Sequence, residues 1–575
     1  MGLKLAKLTP KSSRRISGKG LLPDDGEEEP AAGAKAELPA GPREFLLPEF
    51  AEDSVAVLTW NVSAVNNNPF EYWLSYDDPQ YLDLMMGVES FLDDPGEDDV
   101  EVGSIFTEAM FQELRTLMEN ELLEGLDEVE QMWQGGEMRL RDRRIVSEFI
   151  KDASLGAKRL ISMPDRVTNT INVVTRKESN YQPPPACRPS VMNNFEGDLS
   201  TANVWWEQWK KFMFVDPLTI RSKGGIAILR PVEMLERIAR SKYPAVSEQE
   251  ERLSIPLQVL CQAVFDAIIV HLMNELSPAN EWQVVKSTIC DKLFRGKQCR
   301  TVQILAERYG RVDVMCLQEV AAVFTDHFRA SPLAASHSFV APQRMDGKRD
   351  QNSVLLVSKA AFPEESFRDV TAEVAAFLPE GKHLSDGDVV IIEARAAKDD
   401  RPWLLASFHG DTNGMLTIPV LDALDRAMKE RFPDHMFLFG LDANIYEQQK
   451  EGVQDFAGCV QRIAELGLTS CWGEEPDVRK CRTTCSARTS LQPQLNKAVR
   501  FADRVRKGGM HPKDLILFRQ GQLALVAQAD MGSGRQANPS KDNTGELVYN
   551  EEMVFPTLDF PSDHGVVAAV LQPAA

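Results

Sequence analysis

The second half of the chain is a succession of short apolar runs, and nearly every run meets a polar residue at its end. "VDVMCLQEV" (312–320) carries Glu319, "WLLASFHGD" (403–411) carries His409, and "HMFLFGLDAN" (435–444) ends on Asp442 and Asn444. "PKDLILF" (512–518) opens on Asp514, and Asp563 and His564 stand at the start of "HGVVAAVL" (564–571). Far upstream, "SVAVLTWNV" (54–62) stops at Asn61. Apolar, β-branched runs of this length, bounded by turn residues, predict buried strands. Helical spacing lies between them, in "TVQILAERY" (301–309) and "IPVLDALDRAMKERF" (418–432). Strands with interspersed helices predict a layered α/β domain, whose strand ends share an edge where ligand sites form. Residues two apart in extended chain point the same way, so Asp442 and Asn444 can converge.

Each of these residues is ordinary alone. An Asn or Asp at a strand end usually satisfies its own backbone in a turn. Six strands that each carry a suitable polar residue, in one order, are harder to explain by accident. The motifs "TWNV" (59–62), "LQEV" (317–320), "SFHGDTNG" (407–414), "GLDAN" (440–444), "KDLIL" (513–517) and "PSDH" (561–564) resemble those of the endonuclease/exonuclease/phosphatase superfamily. That superfamily includes abasic endonucleases, DNases, inositol polyphosphate 5-phosphatases, neutral sphingomyelinases and deadenylases. The resemblance covers 54–62 and 301–572. It implies an α/β fold, a four-layer α/β/β/α sandwich of two packed mixed sheets, to which this chain adds a large, mainly helical insertion.

The resemblance also implies roles. Glu319, Asn61 and Asp563 would hold a metal, with Mg²⁺ expected and Mn²⁺ as its substitute, because a hard cation prefers oxygen ligands. His564, oriented by Asp514, would stand beside the scissile phosphate. Asp442 would orient or deprotonate the attacking water, Asn444 would hold a phosphate oxygen, and His409 would contact the phosphate or the leaving oxygen. Asn413, Arg488, Arg482 and Arg504 are candidate substrate-binding residues. The expected activity is hydrolysis of a phosphate ester by in-line water attack. Nuclease and inositol phosphate or phospholipid phosphatase are alternative specialisations, and a catalytically silent scaffold is a reading of another class. Departures from the family are Ser63 after "WNV", Leu441 inside "GLDAN", and "HPKDLIL" in place of a "PAWCDR" signature.

The largest departure is in length: 258 positions separate Asn61 from Glu319. Residues 69–300 therefore read as an insertion between the first strand (49–68) and the remainder of the catalytic domain (301–575), after a polar tail (1–48). The tail has Gly2 but Ala6 where a myristoylation signal has Ser or Thr, and serines beside Arg14 and Arg15. In the insertion, "SIFTEAMFQELRTLMENELLEGLDEVEQMW" (104–133) predicts an amphipathic helix, and "IPLQVLCQAVFDAIIVHLMNEL" (255–276) a buried one. "VWWEQWKKFMF" (204–214) reads as a hydrophobic clamp, with a base-stacking platform as the rarer alternative.

Net charge is −22, and it is unevenly placed. Residues 51–150 hold 24 Asp/Glu against 5 Arg and no Lys, whereas 471–520 hold 11 Lys/Arg against 5 Asp/Glu. Net acidity argues against general nucleic-acid binding, which needs a positive field. The basic segment would either hold extra phosphates or dock on the acidic region. Asp266 and His271 interrupt the most apolar helix, so no membrane span is expected. Nine scattered cysteines predict reduced thiols and an intracellular, cytoplasmic or nuclear setting.

Overall fold

The computed structural model describes residues 53–574, apart from 137, 175–184, 223–224, 347–348, 494–496 and 528–536. The readings of the 1–48 tail lie outside the described residues. The sandwich strands, in chain order, are β1 (Val55–Asn61), β2 (Val314–Val320), β3 (His337–Val340), β4 (Asn352–Ser358), β5 (Arg368–Asp369), β6 (Val389–Arg395) and β7 (Pro402–His409). They continue with β8 (Met436–Asp442), β9 (Leu468–Ser470), β10 (Asp514–Arg519), β11 (Leu523–Leu525), β12 (Ser540–Asp542) and β13 (Val566–Pro573).

These strands form two mixed sheets. The first runs β11-β13-β1-β2-β4-β3, with β12 added on β13; the second runs β9-β10-β8-β7-β6-β5. Each has one parallel pair, β1 with β2 and β7 with β8, among antiparallel neighbours. Alternation along β1 explains the layering. Val55 and Val57 join a core between the sheets, with Val314, Cys316, Leu405, Leu438 and Ile516. Ala56, Leu58 and Trp60 point outward into a second core that continues through the helices of the insertion. The outer face of the second sheet packs on helices Thr417–Glu430 and Phe456–Glu465. Strands buried on both faces are thus read as continuous apolar runs. Each core Val or Leu contributes roughly 1.5–3 kcal/mol of burial.

Gly440 of the "GLDAN" motif marks a close approach of the two sheets. A Cβ there would lie 2.4 Å from Cys316 Cβ and 3.1 Å from Thr59 Cβ, so only glycine fits.

The insertion is folded and helical, but its elements differ in detail from the sequence expectation. The long amphipathic segment is two helices, Glu108–Asn120 and Leu126–Gln134. They part at Gly125, whose backbone turns left-handed with φ 74°. Phe106 lies before the first helix and is buried edge-on against Trp133 and Trp206. Trp205, Trp206 and Trp209 are all buried, and each indole N–H is committed, to Pro189 O, Glu113 and Asp266 respectively. They form a core clamp and offer no stacking face for bases.

Helix Ser254–Leu276 has the length and composition to cross a membrane, yet 89% of its apolar window is buried inside the fold. Its Asp266 accepts from Arg188 Nε at 2.7 Å, and Arg188 also reaches Asp165 and Thr168 at 2.7 Å each. Helix Lys297–Tyr309 then leads into β2 and so runs across position 300. All nine cysteines are free thiols.

Candidate active site

Strand register assembles the site. On the second sheet His409 pairs with Asp442, and Asp442 with Asp514, so three titratable side chains lie abreast at one end. On the first sheet Asn61 pairs with Gln318, which brings Glu319 beside it. The β2 ladder with β4 is broken by a bulge between Leu317 and Val320. Glu319 sits in that bulge with φ 56°, a left-handed backbone that takes it out of the ladder. Asn444 (φ 49°) and Ser63 (φ 61°) have the same unusual backbone just past β8 and β1. Left-handed non-glycine residues cost of order 1–3 kcal/mol and gather at functional sites.

The two sheets meet through Asn61. Its Nδ2 donates to Asp442 Oδ2 at 2.8 Å and to Glu319 Oε1 at 3.2 Å, while its Oδ1 accepts the Ser63 N–H at 2.8 Å. So oriented, Asn61 bridges two carboxylates, one from each sheet, and its Oδ1 keeps one lone pair beyond the Ser63 bond. Glu319 also accepts from Ala64 N at 2.7 Å and Gln351 Nε2 at 3.1 Å, and lies 3.2 Å from His409 Nε2. Burial opposes its ionisation. His409 and these hydrogen bonds outweigh burial and hold its carboxyl well below the usual range.

His564 stacks its Nδ1 against Asp514, 3.0 and 3.2 Å from the two carboxylate oxygens, and its Nε2 is 3.8 Å from Asp442 Oδ2. Burial would discharge the ring, but Asp514 and Asp442 prevail and raise it to about 10. Asp514 is fixed by Thr483 Oγ1 at 2.5 Å. The chain around His564 is pinned too: Trp60 Nε1 donates to its carbonyl at 2.9 Å, and Ser562 Oγ donates to Asn61 O at 2.6 Å. Asn444 N donates to Asp442 Oδ1 at 2.8 Å, and its amide nitrogen reaches Gly410 O at 2.9 Å and His409 Nε2 at 3.2 Å. Asp442 is buried, and His564, Lys513 and His409 hold it below the usual carboxylate range.

Asp563, half-buried on the cleft wall, makes no hydrogen bond or ion pair among the described residues. Two carboxylates of this kind, Glu319 ionised and Asp563 unpaired, suit a hard divalent cation that completes its shell with water and phosphate. Two triads, Glu319–His409–Asp442 and Asp442–Asp514–His564, also have their ligand atoms within 4.8 Å of one another.

Asn61, Glu319, His409, Asp442, Asn444, Asp514, Asp563 and His564 therefore converge. Of the other candidates only Arg488 reaches the cleft. Asn413 is exposed, with its carbonyl taking Gln454 N at 2.8 Å. Arg482 is bidentate on Glu447, and Arg504 lies 3.7 Å over the Phe501 ring. Arg488 does line the cleft, but its guanidinium is paired with Glu71. The basic segment instead docks the insertion: Arg500 pairs with Asp93, Phe501 N donates to Glu89, and Trp73 N donates to Ala487 O.

Two lysines escaped the sequence reading. Lys513, adjacent to Asp514, donates to Asn444 Oδ1 at 2.7 Å and lines the cleft. Lys297, buried in the first turn of its helix, donates to Pro561 O and lines the same cleft. Its position just outside the expected catalytic segment gave no signal.

Residues 99–287 match the family model described as Domain of unknown function (DUF8234), which falls within the insertion. No curated protein matches the chain. Among solved structures, the chain is similar to truncated Caenorhabditis elegans TDP2 at 14% identity, covering 49% of this chain and 92% of that one, with a TM-score of 0.30. It is similar to the human Nocturnin catalytic domain with bound sulfate at 13%, 49%, 87% and 0.31. The corresponding values for an endonuclease/exonuclease/phosphatase from Bacteroides vulgatus are 12%, 49%, 91% and 0.32.

Proposed function

We propose that the protein is a metal-dependent phosphoesterase. The observation that carries this reading is the Asp514–His564 pair set against Asp442, with Glu319 joined to the same carboxylate through Asn61. Glu319 and Asp563 would hold a divalent cation, Mg²⁺ or Mn²⁺, with Asn61 positioning Glu319. When bound, the cation supplies charge neutralisation for the phosphoryl group. Asp442 takes a proton from the attacking water and aims it in line at phosphorus; the water oxygen bonds to phosphorus as the ester P–O bond breaks, and the leaving oxygen takes its proton from solvent water. His564, kept as imidazolium by Asp514, donates to a phosphoryl oxygen where negative charge grows. Lys513, held by Asn444 Oδ1, donates from the second sheet, and His409 steadies Glu319 through its Nε2.

A nucleic acid, an inositol phosphate and a phospholipid head group all present such an ester. The test is a panel of phosphodiesters and phosphomonoesters, assayed with Mg²⁺, with Mn²⁺ and with excess EDTA. Turnover that EDTA abolishes supports the proposal; no turnover of any ester, or turnover indifferent to EDTA, overturns it.

A further inference from the structure

Among the described residues, three carboxylates line the cleft: Glu71, Glu319 and Asp563. Glu71 is paired with Arg488, which leaves two for a cation. Ser63 beside them is uncharged; its N–H donates to Asn61 Oδ1 and its Oγ to Ala64 O at 3.3 Å. Two carboxylates balance the charge of one divalent ion. A phosphate bound there must meet the rest of its positive charge on side chains.

Lys297 is the least expected of those side chains. It lines the cleft and is only 3% exposed. Burying an ammonium is costly unless charges and acceptors surround it. Its Nζ carries three N–H donors, and Pro561 O is its one hydrogen-bond partner among the described residues. Burial draws the ammonium down to about 8, while Asp563 and Glu319 pull the other way. Its charge therefore stands within electrostatic reach of both carboxylates left for a cation. The placement is firm. Lys297 opens the helix that leads into β2 and Glu319, and Arg300, one turn on, donates from Nε to Asp559 O at 2.8 Å. One helical turn thus grips two carbonyls of the segment that runs on into Asp563 and His564.

We infer that Lys297 is a catalytic residue of this edge: its ammonium donates to a non-bridging oxygen of the bound phosphate and supplies the charge that a second divalent cation would bring, so the site works with one. The inference rests on the phosphoesterase reading for the place of the phosphate. An ammonium is a compact point charge with donors to spare, which suits a phosphoryl oxygen. A lysine that only braced the 559–561 segment would leave two donors idle inside the protein, at a cost in stability. The same charge repels a cation held by Glu319 and Asp563. Removing it should therefore weaken phosphate binding without weakening metal binding, whereas loss of a brace would weaken both.

The experiment compares wild type with Lys297→Met, and Lys297→Gln takes its place should the methionine variant fail to fold. Calorimetry follows Mn²⁺ binding to the full chain, then inorganic phosphate binding at saturating Mn²⁺. Wild type should bind one Mn²⁺ that Glu319→Ala abolishes. The Lys297 variant should bind Mn²⁺ about threefold or more tightly than wild type, and phosphate about tenfold more weakly. Its kcat/KM for bis(p-nitrophenyl) phosphate should fall by about 10²-fold. An unchanged phosphate affinity would overturn the inference. So would Mn²⁺ and phosphate affinities that fall together, or two Mn²⁺ in wild type that Glu319→Ala removes. The binding arm separates the two claims. Weaker phosphate binding in the variant, with no ester turned over by wild type, would keep the contact and sink the phosphoesterase reading. Equal ester turnover in both proteins, with phosphate affinity unchanged, would do the reverse.

Discussion

Asp514 opens β10 of the second sheet and His564 stands two residues before β13 of the first, yet the histidine's Nδ1 lies 3.0 Å from the carboxylate and both groups are buried. A pair so closely coupled acts as a unit. His564→Ala and Asp514→Ala should each lower kcat by about 10³–10⁴, and the double variant should lose little more; a double-mutant cycle with additive losses would show that they act separately. Arg482 and Arg504 illustrate the opposite case. Charge alone made them candidates, but Glu447 and the Phe501 ring occupy them. Arg504→Ala should therefore leave KM for a multi-phosphate substrate within about twofold while lowering the melting temperature. A KM that rises severalfold, and less so at high salt, would return it to the substrate.

At the scale of elements, the strands were legible because both faces of each are buried, which leaves unbroken apolar runs such as those of β1, β8 and β13. The short strands β3, β9, β11 and β12 were not, since three or four residues carry no period. Site residues at strand ends were legible for the same reason as the strands. The bulge at Glu319 was not, because it is a matter of register between β2 and β4 and not of residue type. Lys513 went unassigned because charge beside Asp514 looks like an ordinary strand end. Pairing the sheets at Gly440 makes a further expectation. Gly440→Val would press on Cys316 and Thr59 and should destabilise the protein by about 1–3 kcal/mol, or more if the strands cannot shift. Urea unfolding measures this, and a midpoint equal to wild type would mean that the sheets are less closely packed than described.

Over the whole molecule, the insertion shares one continuous apolar core with the outer face of the first sheet, from Trp60 to Trp209 and Leu260. It is therefore part of the body that positions the site and forms one wall of the cleft. Arg188→Met leaves Asp266 and Asp165 buried without their cation, so it should cost about 3–5 kcal/mol. Tryptophan fluorescence and far-UV circular dichroism should then report a single, shifted transition; two separate transitions would mean that the insertion unfolds by itself. The proposed phosphate-ester hydrolysis depends on a divalent cation held by Glu319 and Asp563 at this edge. Its most direct test is the rate of bis(p-nitrophenyl) phosphate hydrolysis by protein stripped with EDTA and reloaded with Mg²⁺ or Mn²⁺, for wild type and a folded Glu319→Ala variant. Stripping should abolish the wild-type rate, reloading should restore it, and Glu319→Ala should stay at least about 10³-fold slower under every condition. A stripped enzyme at full rate, or a Glu319→Ala variant that reloads to wild-type activity, would contradict it.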